Sequence, residues 1–104
     1  MSILERNPQI VWRNEKRREA QVLQKLEEGG DADEHGTVIL LISGMMHQLN
    51  LLGGRIWNLC DGSRQQEQIV DALLAEFDVE REELATDVDE FIQDLTKRGW
   101  LSYV

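Results

Sequence analysis

One change of hydrophobic period constrains this chain more than any other feature. From Met45 the residues alternate, with Met45, His47 and Leu49 opposed to Met46, Gln48 and Asn50. That is the period of two expected of a strand with one covered face. At Asn50 the period lengthens. Leu49, Leu52, Ile56 and Leu59 then recur at helical spacing, with Asn50 placed as an N-cap. Cys60-Asp61-Gly62 supplies a stop. A strand turned into a helix by one asparagine is therefore expected between Met45 and Gly62, with the rest of the chain packed around it.

The flanking segments extend this corner. Thr37 to Ser43 (TVILLIS) is a continuous apolar run, as in a strand covered on both faces, and Ser43-Gly44 makes a tight turn into Met45 to Leu49. Gln9 to Asn14 (QIVWRN), after Asn7-Pro8, is a further strand. Glu15 to Glu28 reads as a helical or irregular excursion, although Ala20 to Gln24 would also suit a short strand. A second helix is expected from Ser63, with Ser63 and Gln66 as its capping box and Ile69, Val70, Leu73 and Phe77 as its stripe. A third is expected from about Arg81 to Arg98, with the stripe Leu84, Val88, Phe91, Ile92 and Leu95 and with Gly99 as C′ residue. Trp100, Leu101 and Tyr103 form an apolar tail. Strands followed by helices make an α+β fold, with a small antiparallel three-stranded sheet and three α-helices on one side of it. At 104 residues the chain is read as a single domain, residues 1–104, with 1–36 as a variable N-terminal part and 37–104 as hairpin plus helices.

Composition narrows the function. The net charge of −9 is unevenly placed. Residues 1–36 hold six basic and eight acidic side chains, and residues 63–104 hold four and eleven. An acidic field repels phosphate backbones and attracts basic partners, though a solvated acidic surface is the commoner meaning. No apolar run approaches the roughly 20 residues that span a bilayer, and MSILERNPQ has no signal-peptide core. The single cysteine, Cys60, fits a reducing compartment. A cytoplasmic protein without a membrane partner is expected.

Catalytic chemistry finds no foothold. His35 sits in a polar loop and His47 in the hairpin, each with an ordinary structural explanation. Cys60 is placed at a helix C-terminus, where the dipole disfavours a thiolate, and reads as a buried structural residue. Asp31, Asp33 and Gly36 match three positions of a calcium loop, but His35 and Ile42 break the pattern, so a solvated turn is preferred. No other set of ligands converges, so neither catalytic nor metal residues nor a cofactor are assigned. Gly53 and Gly54 fall within a helix and suit close packing rather than a phosphate cradle.

What remains is surface. If Met45 to Leu49 is the edge of the sheet, an extended peptide can add to it as a strand. Met45, Met46 and His47 would be available for recognition, and the methionines are equally suited to core filling. Only alternate N–H groups of an edge point outward, and the sequence leaves open whether Gln48 or His47 and Leu49 supply them.

From Met46 to Tyr103 the chain resembles the PqqD-like family, the peptide-binding proteins of pyrroloquinoline quinone biosynthesis and related peptide-modifying systems. The resemblance is carried by His47-Gln48-Leu49-Asn50, Ile56-Trp57, Asp61-Gly62, Glu67-Gln68-Ile69-Val70, and Asp87-Val88 with Phe91-Ile92 and Leu95 before Gly99. The run Gly54 to Gly62 looks especially like members encoded beside radical S-adenosylmethionine (radical SAM, SPASM-type) enzymes. The resemblance implies a winged-helix-like precursor-peptide recognition element that binds no cofactor. Such a protein holds the leader of a ribosomally made precursor peptide as an added strand and delivers it to the modifying enzyme. By position, the peptide-binding residues are Met45, Met46, His47, Gln48 and Leu49 on the strand and Leu84, Asp87, Val88 and Phe91 on the third helix. Residues Glu15 to Gly36 are longer and more charged than in shorter members. A winged-helix nucleic-acid binder is the alternative, disfavoured because Arg81 to Arg98 is acidic rather than basic. A purely structural subunit is the other, and the oligomeric state, monomer or homodimer, is left open.

Overall fold

The described residues form six short strands and four helices in the order β1 (Ile3–Arg6), β2 (Val11–Asn14), α1 (Lys16–Glu27), β3 (Val38–Ile42), β4 (Met45–Leu49), α2 (Leu51–Leu59), β5 (Asp61–Gln65), α3 (Gln66–Leu74), α4 (Arg81–Lys97) and β6 (Leu101–Tyr103). This is the architecture of a computed structural model, which describes residues 2–29 and 36–104. The acidic turn around Asp31, with His35, lies outside the described residues. The α+β class holds, but the strands form two three-stranded antiparallel sheets, β5-β1-β6 and β2-β3-β4. The chain divides into two compact units, Gln9–Gly54 and Met1–Pro8 with Arg55–Val104, and the division falls inside α2.

In the unit Gln9–Gly54, β3 is the central strand. The expected hairpin is present, with Ile42 paired to Met45 across Ser43-Gly44. Both turn residues have positive φ, 50° and 77°, the two-residue geometry whose twist matches the strands it joins. The segment after β2 is a regular helix, α1, anchored by the buried Val22. Its helix-forming composition therefore prevails over the alternative strand reading of Ala20 to Gln24.

Asn50 acts as expected. Its Oδ1 accepts the Gly53 N–H at 2.8 Å, while its carbonyl accepts the Gly54 N–H at 2.7 Å and the Thr37 hydroxyl at 3.2 Å. Gly54 has a packing role. A Cβ there would lie 2.8 Å from both Thr37 Oγ1 and Val38 Cγ2, so only glycine lets this turn of helix approach the start of β3. Thr37, Asn50 and Gly54 thus fix the end of β4 to the first turn of α2.

In the other unit, the N-terminal strand β1 is central, and its Leu4 is fully buried. The sequence reading gave this segment no strand. Its pairing with β5 also overturns the expected capping box at Ser63 and Gln66. Residues 61–65 are extended on β1, and α3 begins one step beyond the strand, capped by Gln65 and Gln68, with the Gln65 N–H donating to Gln68 Oε1 at 2.8 Å. The C-terminal tail is strand β6 on the other side of β1. The Arg6 guanidinium donates to the Trp57 and Asn58 carbonyls, each at 2.9 Å, closing the end of α2 with a cation where the helix dipole favours one.

The core of this unit is Ile56, Trp57, Cys60, Ile69, Val70, Leu73, Leu84, Val88, Ile92, Leu95 and Leu101 with Leu4. Two stripes are shifted from expectation. In α2 the buried apolar side chains are Leu51, Ile56 and Trp57, while Leu52 and Leu59 are half-buried. In α4 the spacing of four from Leu84 through Val88 to Ile92 sets the buried line, leaving Phe91 half-buried at its margin.

Candidate functional site

The candidate site is the outer edge of β4. Among the described residues β4 has one strand neighbour, β3. The direction of its backbone groups follows from the ladder. The Glu15 N–H donates to the Thr37 carbonyl at 2.7 Å, one step beyond the Asn14–Val38 pair of β2 and β3. Bonded and non-bonded pairs alternate in an antiparallel sheet. Ile39 and Leu41 therefore direct their backbone groups toward β2, and Val38, Leu40 and Ile42 direct theirs toward β4. The partners of those three, Leu49, His47 and Met45, are committed to β3. The Leu49 carbonyl does accept on that side, from the Thr37 N–H at 2.8 Å. The N–H and C=O groups of Met46 and Gln48 consequently face outward. Of the two possibilities the sequence left open, the register selects Gln48 together with Met46.

The side chains divide the strand differently. Met45 is 62 % exposed and Met46 59 % exposed, so neither is core filler. Gln48 is exposed, whereas His47 and Leu49 are half-buried on the face that carries the buried Leu40 and Val38. The four helix candidates also separate. Leu84 and Val88 are core residues, 3 % and 0 % exposed. Asp87 is exposed and Phe91 half-buried.

A second exposed feature of this unit was missed from sequence. Val11, Leu41 and Met46 are directly paired across the three strands. They form one exposed apolar row, bordering a shallow depression of about 340 Å³ lined by Val11, Trp12, Arg13, Ile39, Leu41 and Met46. The signal was present, because a fully apolar strand such as TVILLIS shows apolar residues on both faces. Both faces are covered at Val38, Ile39 and Leu40, but not at Leu41.

Among the described residues two groups have displaced pKa values, Cys60 and Asp61. Cys60 is buried, and burial pushes its thiol up to about 12, with Arg6 opposing and Asp61 adding to the shift. A thiol so protonated is no nucleophile at neutral pH. The adjacent Asp61 is held below its usual range, first by its hydrogen bond from Ser63 and then by Arg64. That arrangement is a turn at the start of β5. Among the described residues no group of three or more His, Cys, Asp or Glu is placed to hold a metal, and no helix is long and apolar enough to cross a membrane.

Known proteins resemble this chain in sequence and in fold. The family described as coenzyme PQQ synthesis protein D (PqqD) matches residues 22–101. A "PqqA binding protein" of Rhodopseudomonas palustris strain BisB5 is 40 % identical over 47 residues, which is 45 % of this chain and 46 % of that protein. Its counterpart in strain HaA2 is 38 % identical over a stretch of the same length. The chain thus spans about half the length of the curated relatives it matches. Among solved structures, TbiB1 in complex with the TbiA(beta) leader peptide superposes with a TM-score of 0.63 at 25 % identity, covering 93 % of each chain.

Proposed function

Because the chain belongs to the PqqD family, we propose that it binds the leader of a ribosomally made precursor peptide as a strand added to β4 and presents that leader to a radical SAM enzyme. The observation that carries the reading is the outward edge at Met46 and Gln48. It offers paired backbone donors and acceptors on a strand flanked by exposed methionine side chains. An extended peptide satisfies those groups without regard to its side chains, and the adaptable methionines add contact area. Similarity to PqqA-binding proteins and to a leader-peptide complex supports a leader peptide as the ligand.

The protein acts here as a binder and escort, with the bond-making chemistry left to its enzyme partner. The lone buried thiol fits the cytoplasm, where such peptides are made. The family resemblance also assigns Asp87 and Phe91 of α4 to recognition, the first exposed and the second half-buried. The nucleic-acid alternative loses ground, since α4 carries Glu82, Glu83, Asp87, Asp89, Glu90 and Asp94 against Arg81 and Lys97.

The test is a titration of isotopically labelled protein with the leader peptide encoded nearest its gene, followed by NMR. Selective shifts at Met45 to Leu49, and at Asp87 and Phe91, are expected. Shifts confined to α1 or to the C-terminal tail would refute the assignment.

A further inference from the structure

The apolar row Val11–Leu41–Met46 ends at the proposed docking edge, and this has a consequence for what the edge selects. We infer that the row is a selectivity element, which requires a large apolar side chain at one fixed position of the added strand. The inference rests on the strand-addition reading above.

The argument is one of register. Directly paired residues in neighbouring strands project to the same face, about 5 Å apart at Cβ. Val11, Leu41 and Met46 are such a set, and they are 65 %, 48 % and 59 % exposed. Exposed β-branched or aliphatic residues occur singly on most surfaces, but here three stand in line across the whole width of a sheet. A strand added beside β4 makes a fourth member. Its residue opposite Met46 lies over the thioether on the same face, at the edge of the depression that Val11, Leu41 and Met46 border.

An apolar side chain there buries the Met46 surface and joins the line, whereas a polar one leaves the line uncovered and is itself partly desolvated. Two residues along the added strand the surroundings change. That position lies beside Gln48, in the row Arg13–Ile39–Gln48, whose exposed members are polar and charged. Selection for apolar character is therefore confined to the Met46 position on this face, and the next same-face position accepts polar side chains. The occupant is an extended peptide segment, because only a strand in register meets both the outward backbone groups of Met46 and Gln48 and the apolar row.

The experiment uses the full chain and a displayed library of random twelve-residue peptides as the probe. Peptides enriched on the parent protein are expected to share one large aliphatic or aromatic position. Replacing that position by serine should weaken binding by roughly five- to tenfold, the scale of a cross-strand apolar pair with its buried area. The double variant Leu41→Thr with Met46→Thr keeps strand-forming residues at exposed positions and so should fold. It should bind parent-selected peptides and their serine versions with equal affinity, a coupling that a double-mutant cycle reads directly.

If the double variant keeps the same preference for the apolar position, the row is not the selector, and the inference fails while strand addition stands. If the parent enriches no peptide, strand addition and the inference fall together. If the parent self-associates through this edge, and the double variant does not while enriching the same peptides, the row serves a second copy of the chain and the inference is wrong.

Discussion

Trp57 and Phe91 show at the scale of single residues how little of a side chain's role its type reveals. Both are large aromatics on helical stripes. Trp57 is fully buried, while Phe91 sits half-exposed beside the buried Ile92. Trp57→Ala should cost roughly 3–5 kcal/mol in urea unfolding, and Phe91→Ala roughly half as much, since less of its ring leaves water. Equal losses would show that the core of α4 is misplaced. Cys60 gives a second test. Its thiol is pushed from 9.0 up to about 12 by burial. Below pH 9 both folded and unfolded chains keep the proton, so the thiol adds no pH dependence. Between 9 and 12 the unfolded chain releases it and the folded chain does not, so stability falls as pH rises. Comparing pH-stability profiles of the parent and Cys60→Ala should show a shallower alkaline decline in the variant. Identical slopes would contradict the burial.

At the scale of elements, the hairpin and α2 were legible because their signals are local. The period change at Asn50, the Ser43-Gly44 turn and the cap are all written in adjacent residues. Asn50→Ala should cost about 1 kcal/mol through loss of the cap to Gly53. If thermal melts show no loss, the cap is ornamental. The strands β1, β5 and β6 were not legible, because each exists only through pairing between segments far apart in the chain. A capping pattern at Ser63 and Gln66 looks locally sufficient, yet pairing with β1 holds residues 61–65 extended and moves the helix start to Gln66. The register also decides a mutation that sequence could not. Gln48→Pro should weaken peptide binding while leaving the melting temperature close to the parent's, since its N–H faces outward. His47→Pro should lower stability, because its N–H is committed to β3. The opposite pattern would mean that the ladder alternates the other way.

At the scale of the whole molecule, the family was legible from an ordered set of short matches, none specific alone. The candidate site was legible only in part. Sequence placed it on Met45 to Leu49, but could not tell outward from inward groups, exposed methionines from buried ones, or core residues such as Leu84 and Val88 from contacts. Those distinctions depend on which face each neighbour covers, a property of the assembled fold. The proposed strand addition needs β4 held in place, and the Asn50 cap with the first turn of α2 supplies that support.

The most direct test is amide hydrogen exchange at β4, measured with and without saturating peptide selected from the displayed library. In the free protein the Met46 and Gln48 amides should exchange quickly, and those of Met45, His47 and Leu49 slowly. Peptide should slow Met46 and Gln48 markedly and leave the other three little changed. Tight peptide binding with no added protection at Met46 and Gln48 would contradict strand addition at this edge.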